Sequence, residues 1–139
     1  VYTTNAEKAL GYVTLDSSYE IKDADVTVKV FNALTATKID HTVGSFDYVI
    51  TFSDNIASVN SDGKVIAGTD VTTDGTDNSV VSATISGNTL TVKLAKELDT
   101  AKGITVVADK FANAACGSVK NTSAKTFTVT IAGGAESWA

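Results

Sequence analysis

The sequence predicts an all-β fold, an antiparallel β-sandwich, and three segments carry that expectation. In residues 46–52, Phe46, Tyr48, Ile50 and Phe52 alternate with Asp47, Val49 and Thr51. In residues 88–94, Leu90, Val92 and Leu94 alternate with Thr89, Thr91 and Lys93, and in residues 125–131 Phe127, Val129 and Ile131 alternate with Thr126, Thr128 and Thr130. A period of two places successive side chains on opposite sides of a pleat, so one row is buried and the other meets water. The outward rows are rich in Thr, which suits a solvated sheet face. The inward rows, Phe46 and Ile131 included, form the expected core together with Val106.

The other elements follow in chain order. Residues 4–10 suit a short helical turn capped by Thr4 or Asn5 and closed by Gly11. Residues 12–15 form a short strand, and 19–22 a strand fragment before the turn Asp23-Ala24-Asp25. Residues 26–31 form a strand with Val26, Val28 and Val30 inward, and 38–43 another that stops at Gly44-Ser45. Asp62-Gly63 is a hairpin turn that would pair residues 57–59 with 64–66. The polar residues 69–79 read as an exposed loop. Residues 80–85 pair with 89–94 across Ser86-Gly87-Asn88, and 95–102 form a connection with room for a helical turn. A strand over 104–108, a loop over 109–117 and the strand over 125–131 complete the pattern, and Gly133-Gly134 opens a tail that ends near Trp138. Strand signals at such spacing without amphipathic helices between them indicate a sandwich or barrel.

Composition sets further bounds. The chain has 139 residues, 43% of them hydrophobic, enough for one domain with a core that needs neither metal nor disulfide. No run approaches the roughly 18 apolar residues of a membrane span, so membrane insertion is not expected. A net charge of −5, with Lys as the only basic residue besides His41, argues against nucleic acid, whose binding rests on basic patches. The absence of Met points to a removed leader or to excision from a longer chain. Cys116, the single cysteine, stands among small residues and reads as a buried small hydrophobe.

Candidate chemistry is sparse. His41, the single His, follows Asp40 in Ile39-Asp40-His41-Thr42 and reads as a surface residue at a strand edge rather than a general base. The carboxylates fall mainly in turns, where Asp bonds to nearby backbone. No catalytic residue is therefore assigned, and the chain reads as a non-enzyme that needs no cofactor. Asp70, Asp74, Asp77 and Asn78 crowd one loop and are the candidate ligands for Ca²⁺, which takes several hard oxygens. Their spacing departs from the Asp-x-Asp-x-Asp-Gly pattern, and a solvated acidic loop is the default reading. Asn121-Thr122-Ser123 is a glycosylation sequon placed on a loop.

Residues 44–131 resemble the bacterial immunoglobulin-like (Ig-like) domains of S-layer and other cell-surface proteins. The resemblance rests on Val49-Ile50-Thr51-Phe52-Ser53-Asp54, on the hairpin strand Gly87-Asn88-Thr89-Leu90-Thr91, on Gly103-Ile104-Thr105-Val106-Val107, and on the closing Phe127-Thr128-Val129-Thr130. Ile104 stands where that family usually has an aromatic, and Cys116-Gly117-Ser118 replaces its Gly-Asn loop. The resemblance implies an Ig-like core over residues 44–132, an N-terminal extension or extra strands over 1–43, and a tail over 133–139. It also implies an extracellular, non-catalytic role as a domain or subunit of a surface layer, pilus-like filament or adhesin stalk. The expected partners are copies of itself or neighbouring surface-protein domains. The strand-like residues 12–15 suggest assembly by adding a strand to a neighbour's sheet edge. Residues 46–59 also resemble the early strands of cohesins, β-sandwiches that bind dockerins. That resemblance implies a protein- or carbohydrate-binding module instead.

Overall fold

In the computed structural model, residues 19–22, 27–74, 77–132 and 136–139 are described, with side chains from residue 31 onward. The fold is all-β and sandwich-like: among the described residues every helix or strand element is a strand, and all paired strands are antiparallel. The chain divides into two compact units, Val1–Ala33 and Leu34–Ala139. The first contains the hairpin of β1 (Tyr19–Lys22) and β2 (Thr27–Val30), with Tyr19 opposite Val30 and Lys22 opposite Thr27. The expected helical turn, the strand over 12–15 and the inward row of Val26, Val28 and Val30 lie outside what is described.

Among the described residues the second unit holds three sheets. One has the order β3-β4-β8-β7 and uses β3 (Ala36–His41), β4 (Asp47–Phe52), β7 (Val80–Ser86) and β8 (Thr89–Leu94). Another has the order β13-β12-β9-β6 and uses β6 (Val71–Thr73), β9 (Gly103–Val106), β12 (Lys125–Ile131) and β13 (Ser137–Trp138). The third joins β5 (Ile56–Ser58), β10 (Phe111–Asn113) and β11 (Cys116–Lys120) in the order β11-β10-β5. Thus β3, within the expected N-terminal extension, pairs along β4.

The core is built from the inward rows. Tyr48, Ile50, Phe52, Leu90, Val92 and Leu94 come from the first sheet, and Val71, Ile104, Val106, Phe127 and Val129 from the second. Phe111 of the third sheet meets Phe52 with ring centroids 5.4 Å apart. Gly103 is required where β9 meets β12: a Cβ there would lie 2.5 Å from the Phe127 carbonyl oxygen.

Two expected core residues are on the surface. Phe46 is 48% exposed. Phe46 precedes strand β4, which begins at Asp47, and although its carbonyl still accepts from the Leu94 N–H it stands at the open end of the inward row. Ile131 is 58% exposed, because the β12–β13 register shifts between Val129 and Ile131 and ends the inward row at Val129.

Other expectations are also corrected. Residues 57–59 and 64–66 do not form a hairpin; Ala57 pairs with Ala112 of β10 instead. Asp62-Gly63 is still a turn, with Gly63 at φ 73° and its N–H on the Asn60 carbonyl. The polar run 69–79 contains β6, whose Val71 is fully buried. The expected loop over 109–117 contains β10 and the start of β11. The connection 95–102 holds a turn, Lys102 N–H to the Asp99 carbonyl, rather than helix. Cys116 is half-buried at the start of β11.

Candidate functional site

The four candidate Ca²⁺ ligands, for which a solvated loop was the default reading, each make their own hydrogen bonds or ion pair. Asp70 is fully buried; its Oδ2 accepts from Asn60 Nδ2 and from the N–H of Ile66, tying the 60–66 loop to the residue just before β6. Asp74 Oδ2 accepts from the Gly103 N–H. Asp77 lies 3.5 Å from Lys96 Nζ on the surface. Asn78 caps the same loop, its Oδ1 accepting from the N–H groups of Ser79 and Lys96 and its Nδ2 donating to the Lys96 carbonyl. Asp70 is thus buried rather than solvated as expected, its Oδ2 supplying the acceptor that the Ile66 N–H needs.

The sequon Asn121 is also interior, only 2% exposed. Its Oδ1 accepts from Phe111 N–H and its Nδ2 donates to the Val107 carbonyl. The nitrogen that would carry a glycan is therefore already bonded to the Val107 carbonyl.

A buried group of polar side chains surrounds His41, expected on the surface. Its side chain is shut off from solvent. The pairing of β3 with β4 sets His41 opposite Tyr48, and the two rings stack at 3.9 Å and 6°. Trp138 of β13 meets Tyr48 edge-on at 6.0 Å. His41 Nδ1 lies 2.8 Å from Oε2 of Glu136, whose side chain is 8% exposed. His41 Nε2 lies 2.7 Å from the Ser45 carbonyl oxygen and 3.6 Å from Glu97 Oε2. Glu97 Oε2 also accepts from the Gly44 N–H. The turn that makes this possible runs from Thr42 to Ser45, closed by Ser45 N–H on the Thr42 carbonyl, with Gly44 at φ 94°.

Hydrogen-bond inventory defines what the ring does. A carbonyl oxygen only accepts, so Nε2 carries a hydrogen. Glu136 faces Nδ1, so both contacts are satisfied together when a proton sits on each ring nitrogen or on the Glu136 carboxyl group. The nitrogen that a general base would turn toward a nucleophile is occupied by the Ser45 backbone. The cluster is thus built as a clasp: it joins β3, the first described strand of the unit, to Glu136, just before β13, the last.

Tyr48 completes the clasp from beneath. Its hydroxyl oxygen accepts from the Leu98 N–H at 2.8 Å. Burial holds its ionisation above the usual value of 10.0, Glu136, Glu97 and Asp99 add to the rise, and the Leu98 N–H opposes it. An unfolded chain therefore sheds this proton first as pH rises. Tyr48's share of the stability is whole below about pH 10 and is lost as pH climbs through the raised native value. Tyr48→Phe is expected to cost about 1–3 kcal/mol at neutral pH by leaving the Leu98 N–H unpaired. Denaturant titrations should show the gap between the two proteins narrowing above pH 10; a constant gap would contradict this account.

Nothing local announced the cluster: His41 and Glu136 lie 95 positions apart. Comparison with protein-family models, with curated proteins and with solved structures gave no match.

Proposed function

We propose that this chain is a non-catalytic structural domain or subunit of an extracellular surface assembly, such as an S-layer, a pilus-like filament or an adhesin stalk. The observation that carries this reading is the clasp. His41 and Glu136 fasten the first described strand of the Leu34–Ala139 unit to the residue just before its last, and the Tyr48 and Trp138 rings pack around that fastening. A domain that transmits load along a chain of units gains from such a tie, because force applied across it must break a buried polar contact before the sheets can part. The motif resemblance over residues 44–131 and the all-β fold support the same reading. Assembly would proceed by strand addition, since open sheet edges offer unpaired backbone groups to another strand. Electron microscopy of the purified protein tests it: ordered filaments or a lattice are expected, and dispersed single particles at every concentration would refute it.

A further inference from the structure

Strand β7 is an outer strand of its sheet, and its sequence Val80-Val81-Ser82-Ala83-Thr84-Ile85-Ser86 carries neither charge nor proline. Exposed edges are usually guarded by Lys, Pro or a bulge. Here the one irregularity falls between Val80 and Ser82, which leaves residues 82–86 in regular register with β8.

The direction of the free backbone groups follows from the ladder. Leu94 N–H donates to the Phe46 carbonyl and Phe52 N–H to the Asn88 carbonyl. The peptide groups of Leu90, Val92 and Leu94 therefore turn toward β4. Antiparallel alternation turns those of Thr89, Thr91 and Lys93 toward β7, where they face Ser86, Thr84 and Ser82. The peptide groups of Ala83 and Ile85 consequently point away from the sheet. Beside them runs a groove of about 380 Å³ between Ala83, Thr84 and Ile85 on one side and Gly63, Lys64 and Val65 on the other.

The regular segment reads alike in both directions: hydroxyl, apolar, hydroxyl, apolar, hydroxyl. A twofold interface requires a surface that complements itself. We infer that β7 pairs antiparallel with β7 of a second copy of this chain, about a twofold axis at Thr84. Ser82 then lies opposite Ser86 of the second copy, and Thr84 opposite its own counterpart, so the hydroxyl rows meet. Ala83 lies opposite Ile85, a small side chain against a larger one on the inner face. The N–H and C=O groups of Ala83 and Ile85 gain partners, no like charges meet within the paired strands, and the two sheets become one continuous sheet. This pairing rests on the assembly reading above and supplies it with one specific contact.

Cysteine cross-linking in a Cys116→Ala background tests the pairing. Thr84 would form a non-hydrogen-bonded pair with its counterpart, with Cα atoms about 4.5 Å apart, within disulfide reach. Thr84→Cys should therefore give a covalent dimer on oxidation. Ser86→Cys, displaced from its counterpart by roughly 13 Å along the strands, should not. Both positions are exposed, so neither substitution disturbs the core. Thr84→Lys sets two charges face to face and should shift the protein toward monomer in sedimentation. If the intact chain associates but Thr84→Cys fails to cross-link, or Ser86→Cys cross-links equally, this pairing is overturned and the assembly reading stands. If the intact chain stays monomeric at high concentration, both fall.

Discussion

Replacing Phe52 by Ala is expected to destabilise the Leu34–Ala139 unit by about 3–5 kcal/mol, read as a lowered denaturant midpoint. Phe52 is 1% exposed and packs its ring against Phe111, so it joins the first sheet to the third. Its backbone is equally committed: the N–H donates to the Asn88 carbonyl and the carbonyl accepts from Asn88 Nδ2. Truncation leaves a cavity between two sheets whose backbones are held by ladder bonds and cannot close on it. Phe46 has the same side chain and the same parity in the sequence, yet it is 48% exposed. Phe46→Ala should change stability by no more than about 0.5 kcal/mol. Equal losses at the two positions would show that the inward row has been placed incorrectly.

The second large effect is expected at the clasp. His41→Ala removes the partner of Glu136 Oε2 while leaving that carboxylate in its buried position. Removing one partner of a buried polar contact costs about 1–3 kcal/mol, and about 3–5 kcal/mol where it strands a charge, because the remaining group keeps its desolvation penalty. The loss includes the ring stacked on Tyr48 and the donor to the Ser45 carbonyl. In a double-mutant cycle, adding Glu136→Gln to His41→Ala should therefore cost less than the sum of the two single changes. Strict additivity would mean that the two side chains act independently.

Legibility from sequence tracked the way each segment is buried. The strands over 47–52, 89–94 and 125–131 stand half-in and half-out, so their alternation was visible and most of the core followed from it. Strand β10 could not be seen this way, because Phe111, Ala112 and Asn113 are all buried and leave no alternation. Strand β6 has three residues inside a polar run, too few to show a period. Phe46 and Ile131 followed the period but stand at the open end of the inward row and at a register shift. The clasp was the least legible part. His41 looked like a surface residue because Glu136, the partner of its Nδ1, lies 95 positions away beside the last strand, although the Ser45 carbonyl at its Nε2 comes from the very next turn. Asp70 read as part of a solvated acidic loop and Asn121 as a sequon on a loop, whereas both are buried and accept from backbone N–H groups.

The central claim is that this domain bears load through the tie between β3 and Glu136, just before β13. Single-molecule pulling on the full chain, held at its two ends, tests it most directly. The intact protein should lose the Leu34–Ala139 unit in one step at a well-defined force. His41→Ala should lower that force clearly more than Tyr48→Phe, which keeps the His41–Glu136 contact. Equal forces for the intact protein and His41→Ala would contradict the account.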